Sequence, residues 1–396
     1  MSALDAIPRT VAWLIKGDER YGPRQGTIAL LTTLRLRGWR TPIVTVTDGD
    51  FARECRDLGF ETVGLGMGPA PVLDGSLLSK TVRFTKQVMF ERRAVNRLVR
   101  LLEGFEAQAV YVRWPNIATL AGRASHRLQI PCFWHTPNAL GRYPLHLNRL
   151  LVQQRSARYG MHLLANSTYT AGTFGQSPVK PSVLYLAVDP KRFDPDGVEA
   201  VSRERLQIPP EAVVFGIVGR VDADKCQDRL LDALLELGPH EPPLHLLLVG
   251  GATDRVTEDA LRAAASAAGA SDRLHMTGAV ADPQRYYPCI DVAVNCRLGP
   301  EPFGISVIES MAMRCPVLAR AFGGPAETVL DDVCGWHIRD PSVATLSAGV
   351  RRALADRHRW PQMGAAARRR VLEHFTFEHM ADRFAEIFEQ ARSRSC

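Results

Sequence analysis

The sequence predicts an α/β protein of two Rossmann-like domains, and three observations carry that prediction. An alternation of apolar strand-like runs and helix-like spacings opens at Val11, and a second opens at Val213. Between them stand Asp194-Pro195-Asp196-Gly197 and Ile208-Pro209-Pro210-Glu211, the turn residues of a linker. The length, 396 residues, suits two domains of roughly 150–200 residues each, and a hydrophobic content of 46% is enough for two cores.

In order along the first domain, placed at residues 1–190, Val11–Ile15 is a buried strand and Thr27–Arg37 a helix. Pro42–Thr47 is a strand, Phe51–Leu58 a helix and Thr62–Leu65 a strand, which completes the β-α-β-α-β opening of a doubly wound sheet. A long helical stretch follows from Leu77 to Leu102, then strands at Ala109–Trp114, Pro131–His135, His162–Asn166 and Val183–Ala187. In the second domain, residues 191–375, strands fall at Val213–Val218, Leu244–Val249, Leu274–Thr277 and Val292–Cys296. Helices fall at Asp228–Glu236 and Glu258–Ala268. The tail from Trp360 to Arg392 reads as helical, with Phe375, Phe377, Met380, Phe384, Ile387 and Phe388 in an apolar stripe that needs a docking surface. A dimer contact is one way to cover it.

Composition bounds the partners. A net charge of +7 and a pI near 9.1 favour anionic ligands such as nucleotide diphosphates, and are equally compatible with nucleic acid or an anionic membrane surface. The stretch Lys80–Lys86, continued by Arg92, Arg93, Arg97 and Arg100, is a basic face that reads first as solvated and second as a membrane contact. The eight cysteines show no C-x-x-C pair and read as reduced, buried residues. No apolar run reaches the length of a membrane span, so a cytoplasmic protein is expected. The sequence holds no G-x-x-x-x-G-K-[ST], H-E-x-x-H or G-x-S-x-G, and Gly64-Leu65-Gly66-Met67-Gly68 lacks G-x-G-x-x-G spacing. These absences disfavour an NTPase, a zinc protease, a serine hydrolase and an NAD enzyme.

The chemistry concentrates in Gly299-Pro300-Glu301-Pro302-Phe303-Gly304-Ile305-Ser306-Val307-Ile308-Glu309, followed by Gly323-Gly324-Pro325-Ala326-Glu327. A loop breaks at Gly304 into a helix whose first N–H groups are available to phosphate oxygens or sugar hydroxyls. Glu301 stands before the helix, and Glu309 lies roughly 6 Å inside it at 1.5 Å per residue. Carboxylates flanking an anion site require hydroxyls on both sides of the phosphates, as a nucleotide-diphosphate sugar has. Spacing alone is weak, since Glu378 and Glu386 share it.

In its E-P-F-G context and its downstream glycine pair the stretch closely resembles the E-x7-E signature of the retaining glycosyltransferases of family 4. The resemblance implies the GT-B architecture, two Rossmann-like domains facing across a cleft. It implies that Glu301 faces the donor sugar, that Phe303, Gly304, Ile305 and Ser306 hold sugar and phosphate, and that Glu309 binds the ribose. Gly219-Arg220-Val221-Asp222-Ala223-Asp224-Lys225-Cys226 resembles the family's donor motif, with Arg220 and Lys225 on the diphosphate and Cys226 in place of a glycine. On the residues alone, salt bridges to Asp222 and Asp224 are the lesser alternative for both cations.

In the first domain, the loop Lys16–Gly26 stands at the carboxyl end of the first strand and resembles the family's glycine-rich loop, with Gly22-Pro23 in place of the double glycine. Gly22 is therefore a donor-binding candidate. His135 ends a strand and matches the family histidine that hydrogen-bonds the donor sugar. Asn166 either joins the site or caps the next helix.

The implied function is transfer of a sugar, most often a hexose, from a nucleotide-diphosphate sugar to an acceptor hydroxyl by a front-face, metal-independent route. The first domain then takes the acceptor, the second the donor, and residues 376–396 cross back as a helix onto the first. No cofactor is implied beyond the co-substrate, a UDP-sugar being favoured. The acceptor is a small molecule, a glycan or a lipid-linked glycan, and no nucleic acid is expected. A non-hydrolysing nucleotide-sugar epimerase and a non-catalytic sugar-nucleotide-binding protein stay open.

Overall fold

The computed structural model describes residues 8–19, 22–66, 92–136, 147–176, 179–238 and 240–393. The chain divides into two compact units, Met1–Tyr185 with Met380–Cys396, and Leu186–His379. Each is built on one parallel sheet with helices, the Rossmann-like pattern that the two alternations predict.

In the first unit the strands are β1 (Val11–Ile15), β2 (Ile43–Thr45), β3 (Thr62–Gly64), β4 (Ala109–Val112), β5 (Cys132–Thr136), β6 (Met161–Ala165) and β7 (Ser182–Val183). They lie in the order β3-β2-β1-β4-β5-β6-β7, all parallel. A parallel sheet is covered on both faces, which is why its strands are continuous apolar runs: every residue of β1, β4 and β5 is buried.

The helices of this unit are α1 (Gly22–Leu36), α2 (Asp50–Asp57), α3 (residues 92–104), α4 (Pro115–Leu128), α5 (Leu147–Arg158) and α6 (Thr168–Gly172). Helix α1 already includes Gly22, ahead of the expected start at Thr27, so Gly22 is helical and not in a loop. On α3, Ala94, Val95, Leu98 and Leu102 are buried while Arg92, Arg93, Arg97 and Arg100 are exposed, so this part of the basic stretch is a solvated face. The part at Lys80–Lys86 lies outside the described residues. Ser167, not Asn166, caps α6, its side chain accepting from the Thr170 N–H at 2.9 Å.

In the second unit β8 (Val213–Val218), β9 (Leu244–Val249), β10 (Leu274–Met276), β11 (Val292–Asn295), β12 (Val317–Arg320) and β13 (Gly335–Ile338) form a parallel sheet in the order β10-β9-β8-β11-β12-β13. Its helices are α7 (Gln227–Glu236), α8 (Arg255–Ala267), α9 (Ile305–Ala312), α10 (Pro325–Thr328), α11 (Val343–Ala355) and α12 (Trp360–His374).

The tail is not one helix. Helix α12 ends at His374 and α13 starts at Phe377 (Phe377–Ser393). The break has a hydrogen-bonding cause: the Phe375 carbonyl accepts from the Val188 N–H at 2.9 Å, and Thr376 bridges Val188. Within the first unit, Phe384 and Phe388 pack edge-on or tilted against Trp39 and Phe133, and Asp382 pairs with Arg37 at 2.6 Å. Among the described residues no helix is long and apolar enough to cross a membrane, and Cys55, Cys132, Cys226, Cys289, Cys296, Cys315 and Cys334 are free and buried.

Candidate active site

The second sheet reverses its strand order between β8 and β11. Beyond the carboxyl ends of such a pair no crossover covers the sheet, and open α/β sheets bind ligands there. Two loops leave those ends, residues 219–226 after β8 and 296–304 after β11.

The first loop closes on a short turn, Ala223–Lys225, whose head is capped by Asp222: its Oδ1 accepts from the Lys225 N–H at 3.1 Å. Cys226 then adopts φ +55°, the left-handed geometry that a glycine takes without strain, here with a bulkier residue. Arg220 projects into solvent at 72% exposure, 3.4 Å from Asp222. With its arginine so exposed the pair is held weakly. Lys225 pairs with neither aspartate. Its Nζ lies 2.8 Å from Glu301 Oε2, with side chains only 19% and 13% exposed.

In the second loop Glu301 is flanked on its other side by Arg297, whose Nη1 is 3.5 Å from Oε1. Its backbone is gripped by the downstream glycines. The Gly324 N–H donates to the Glu301 carbonyl at 2.8 Å, and a Cβ at Gly323 would stand 2.1 Å from that oxygen. Gly323 at φ +100° is thus required by close backbone approach. Gly304 heads α9 at φ +91°, its carbonyl accepting from Val307 at 3.0 Å and Ile308 at 3.3 Å. The N–H groups of Ile305 and Ser306 have no carbonyl within the helix to bond.

One turn inside α9, Glu309 Oε2 accepts from the Tyr287 hydroxyl at 3.0 Å; that hydroxyl is also 3.3 Å from the Ser306 carbonyl. Burial pushes the Glu309 carboxyl up to about 7, against the lowering effects of the Tyr287 hydrogen bond and the Arg192 charge. At Asp224 burial also raises, but the hydrogen bonds from Arg297 and the Gly299 N–H outweigh it and hold the carboxyl below its ordinary value.

The structure thus brings Lys225 and Glu301 into contact, carries Phe303, Gly304, Ile305 and Ser306 between Glu301 and Glu309, and leaves Arg220 at the open side of the first loop. In the first unit His135 lies one residue inside the end of β5, which runs on to Thr136, and is 1% exposed, with the Tyr111 hydroxyl 2.5 Å from its Nδ1. Burial first, then the Arg113 charge, lowers its imidazole to about 3, so it is neutral. Nearby, the loop after β1 places Glu19 against Trp114 Nε1 and the Lys16 N–H, and Lys16 over the Trp114 ring at 4.2 Å. Tyr287, Arg297 and Trp114 are the residues that sequence reasoning missed. None stands in a recognisable motif, and each is placed by contacts distant in sequence.

Residues 198–370 match the family model described as Glycosyl transferases group 1. A GDP-mannose-dependent alpha-(1-6)-phosphatidylinositol monomannoside mannosyltransferase of Mycolicibacterium smegmatis is 32% identical over 57% of this chain and 61% of its own. The match spans about three fifths of the length of such curated relatives. Among solved structures, a glycosyltransferase from Rickettsia africae superposes with a TM-score of 0.80 at 16% identity, covering 97% of this chain and 98% of its own. The Anabaena protein HepE, solved with UDP, does so with a TM-score of 0.78 at 19% identity over 96% and 100%. The chain therefore has the fold of these structures, and over residues 198–370 it matches the group 1 glycosyl transferases.

Proposed function

We propose that the chain is a retaining glycosyltransferase of family 4 that moves a sugar from a nucleotide-diphosphate sugar to an acceptor hydroxyl without a metal ion. The observation that carries this reading is the meeting of Lys225 and Glu301, from two loops at the switch point of the second sheet, in front of the α9 N-terminus. Cation, carboxylate and helix N–H groups there match the parts of one ligand. Lys225, Arg220 and the N–H groups of Ile305 and Ser306 hold the diphosphate, Glu301 accepts from the sugar hydroxyls, and Glu309 accepts from the ribose.

In front-face transfer the acceptor oxygen bonds to the anomeric carbon on the side from which the diphosphate leaves. The carbon–phosphate oxygen bond breaks, and the departing phosphate takes the acceptor proton. No enzymic base is needed; the protein supplies the cations and N–H groups that stabilise the developing diphosphate charge. His135, neutral and buried, is suited to a hydrogen bond and not to carrying charge. A UDP-sugar is the favoured donor, in keeping with the UDP named in the HepE structure; the mycobacterial relative's name specifies GDP-mannose, so both bases belong in the test.

Incubation with a panel of UDP- and GDP-sugars should release the nucleoside diphosphate slowly without acceptor, and should continue in EDTA. Failure to bind UDP or GDP refutes the reading, as does loss of activity on chelation that manganese or magnesium restores. Conversion of the donor to its epimer would instead make the chain an epimerase.

A further inference from the structure

We propose that Arg297 is a positioning residue for Glu301, and that Asp224 anchors Arg297 in that task. The inference rests on the donor-site reading above, but its geometry stands by itself. Asp224, on the loop of Lys225, grips the loop of Glu301 at three consecutive residues. Its side chain accepts from Arg297 Nε through Oδ2 and from the Gly299 N–H through Oδ1 at 3.1 Å, and its carbonyl accepts from the Leu298 N–H at 2.7 Å. The Arg297 carbonyl accepts from Arg320 Nη1 at 3.0 Å, which holds the same loop from β12. The loop that carries the cation and the loop that carries the carboxylate are therefore clasped together, and the clasp sets the separation of Lys225 from Glu301.

The charges alternate along this clasp: Asp224, Arg297, Glu301, Lys225. Each Glu301 oxygen faces one cation, Lys225 at 2.8 Å and Arg297 at 3.5 Å. A carboxylate at 13% exposure is poorly served by water and depends on such partners. When a donor diphosphate engages Lys225, Glu301 loses one of the two. Arg297 is the partner that remains, and it cannot follow Lys225 to the phosphate because its Nε is held by Asp224. Asp224 thus reserves an arginine next to an anion site for a carboxylate. This assignment differs from that of Arg220, which meets Asp222 only at 3.4 Å and 72% exposure, and of Lys225, whose partner is Glu301 itself; these two are given to the phosphates.

Arg297→Met, Arg297→Lys, Asp224→Asn and Lys225→Ala separate the roles. Arg297→Met should lower kcat for sugar-nucleotide turnover roughly ten- to hundredfold, the span of a lost charge-assisted contact, while UDP and GDP affinity by calorimetry stays near wild type. Arg297→Lys should restore part of kcat, Asp224→Asn should resemble a weaker Arg297→Met, and Lys225→Ala should lose diphosphate affinity. An Arg297→Met variant that loses diphosphate affinity as Lys225→Ala does would make Arg297 a phosphate ligand and overturn the proposal, as would unchanged kcat.

A second measurement needs no turnover: a double-mutant cycle of Arg297→Met and Glu301→Gln in thermal unfolding of the ligand-free chain. Non-additive melting shifts support the pairing, and additive shifts overturn it. Coupling without any turnover of UDP- or GDP-sugars would refute the transferase reading while supporting the clasp.

Discussion

Glu309 gives the structure's sharpest quantitative test. Burial raises its carboxyl from an ordinary 4.5 to about 7, so the folded chain holds this proton to a higher pH than the unfolded chain does. The sign follows from proton linkage: between those values the native state binds more protons, and stability falls as pH rises from 4.5 through 7. At about 1.4 kcal/mol per pH unit, the full shift corresponds to about 3 kcal/mol. Part of the side chain still reaches water, and screening reduces this to roughly 1–2 kcal/mol.

Glu309→Gln removes the ionisation, and its carbonyl still accepts from the Tyr287 hydroxyl. In thermal unfolding without ligand the variant should therefore melt roughly 2–8 °C above wild type at pH 8, using about 2–4 °C per kcal/mol for a unit of this size. At pH 5 the two should nearly coincide, because wild-type Glu309 is then largely protonated. A variant equal to or below wild type at pH 8, or a gain independent of pH, would refute the argument. UDP or GDP affinity should move the other way, falling in the variant at pH 8 as the ribose loses an ionised acceptor.

Other substitutions test the remaining parts of the site. Arg220→Ala and Lys225→Ala should each weaken UDP or GDP binding roughly ten- to hundredfold; only Lys225→Ala should also lower the ligand-free melting temperature, because Arg220 is 72% exposed and Lys225 is not. Unchanged affinity in both by calorimetry would remove them from the site. Cys226 sets a left-handed backbone cost of roughly 1–2 kcal/mol against the burial of its thiol, so Cys226→Gly should stay near wild type while Cys226→Ala, which keeps the cost and loses the sulfur, melts lower. The reverse order would show that the strain is absent. Under the front-face reading Glu301→Gln keeps measurable turnover and Glu301→Ala less, and both should bind UDP or GDP more tightly, because the carboxylate that competes for Lys225 has gone. A glycosyl adduct trapped on Glu301 would replace front-face transfer by a covalent route.

The sheets were legible because parallel strands are buried on both faces and leave unbroken apolar runs, as in Val213–Val218 and Leu244–Val249. Where burial is carried by small or polar residues the signal fades. Helix α4 buries Ile117 and Leu120, but the rest of its core face is Ala118, Ala121, Gly122, Ala124 and Ser125, and two large residues are too few to mark a helix in the sequence. Strand β13 is four residues with a histidine among them, and it too was not assigned. The break between α12 and α13 joins a local signal, Thr376 Oγ1 accepting from the His379 N–H at 3.4 Å, to a distant one, the Val188 N–H donating to the Phe375 carbonyl, and the distant one has no trace in the sequence.

The site shows the same limit more acutely. The motif picks out Glu301 and Glu309 together and its resemblance gives one the sugar and the other the ribose, but it says nothing of what surrounds each carboxylate. Their surroundings make them opposites. Glu301 stands between Lys225 and Arg297, cations delivered by contacts 76 and four residues away. Glu309, one turn into the helix, meets a neutral phenol from Tyr287, with burial as the largest influence on its proton. One glutamate is therefore held by paired charge, and the other sits where its proton leaves near neutral pH. Carboxylates with such different hydrogen-bonding partners can take different roles on one ligand. Such a difference arises only when a loop 73 residues upstream clasps the first glutamate's loop and a tyrosine 22 residues upstream caps the second, so it belongs to the folded chain and to no motif within it.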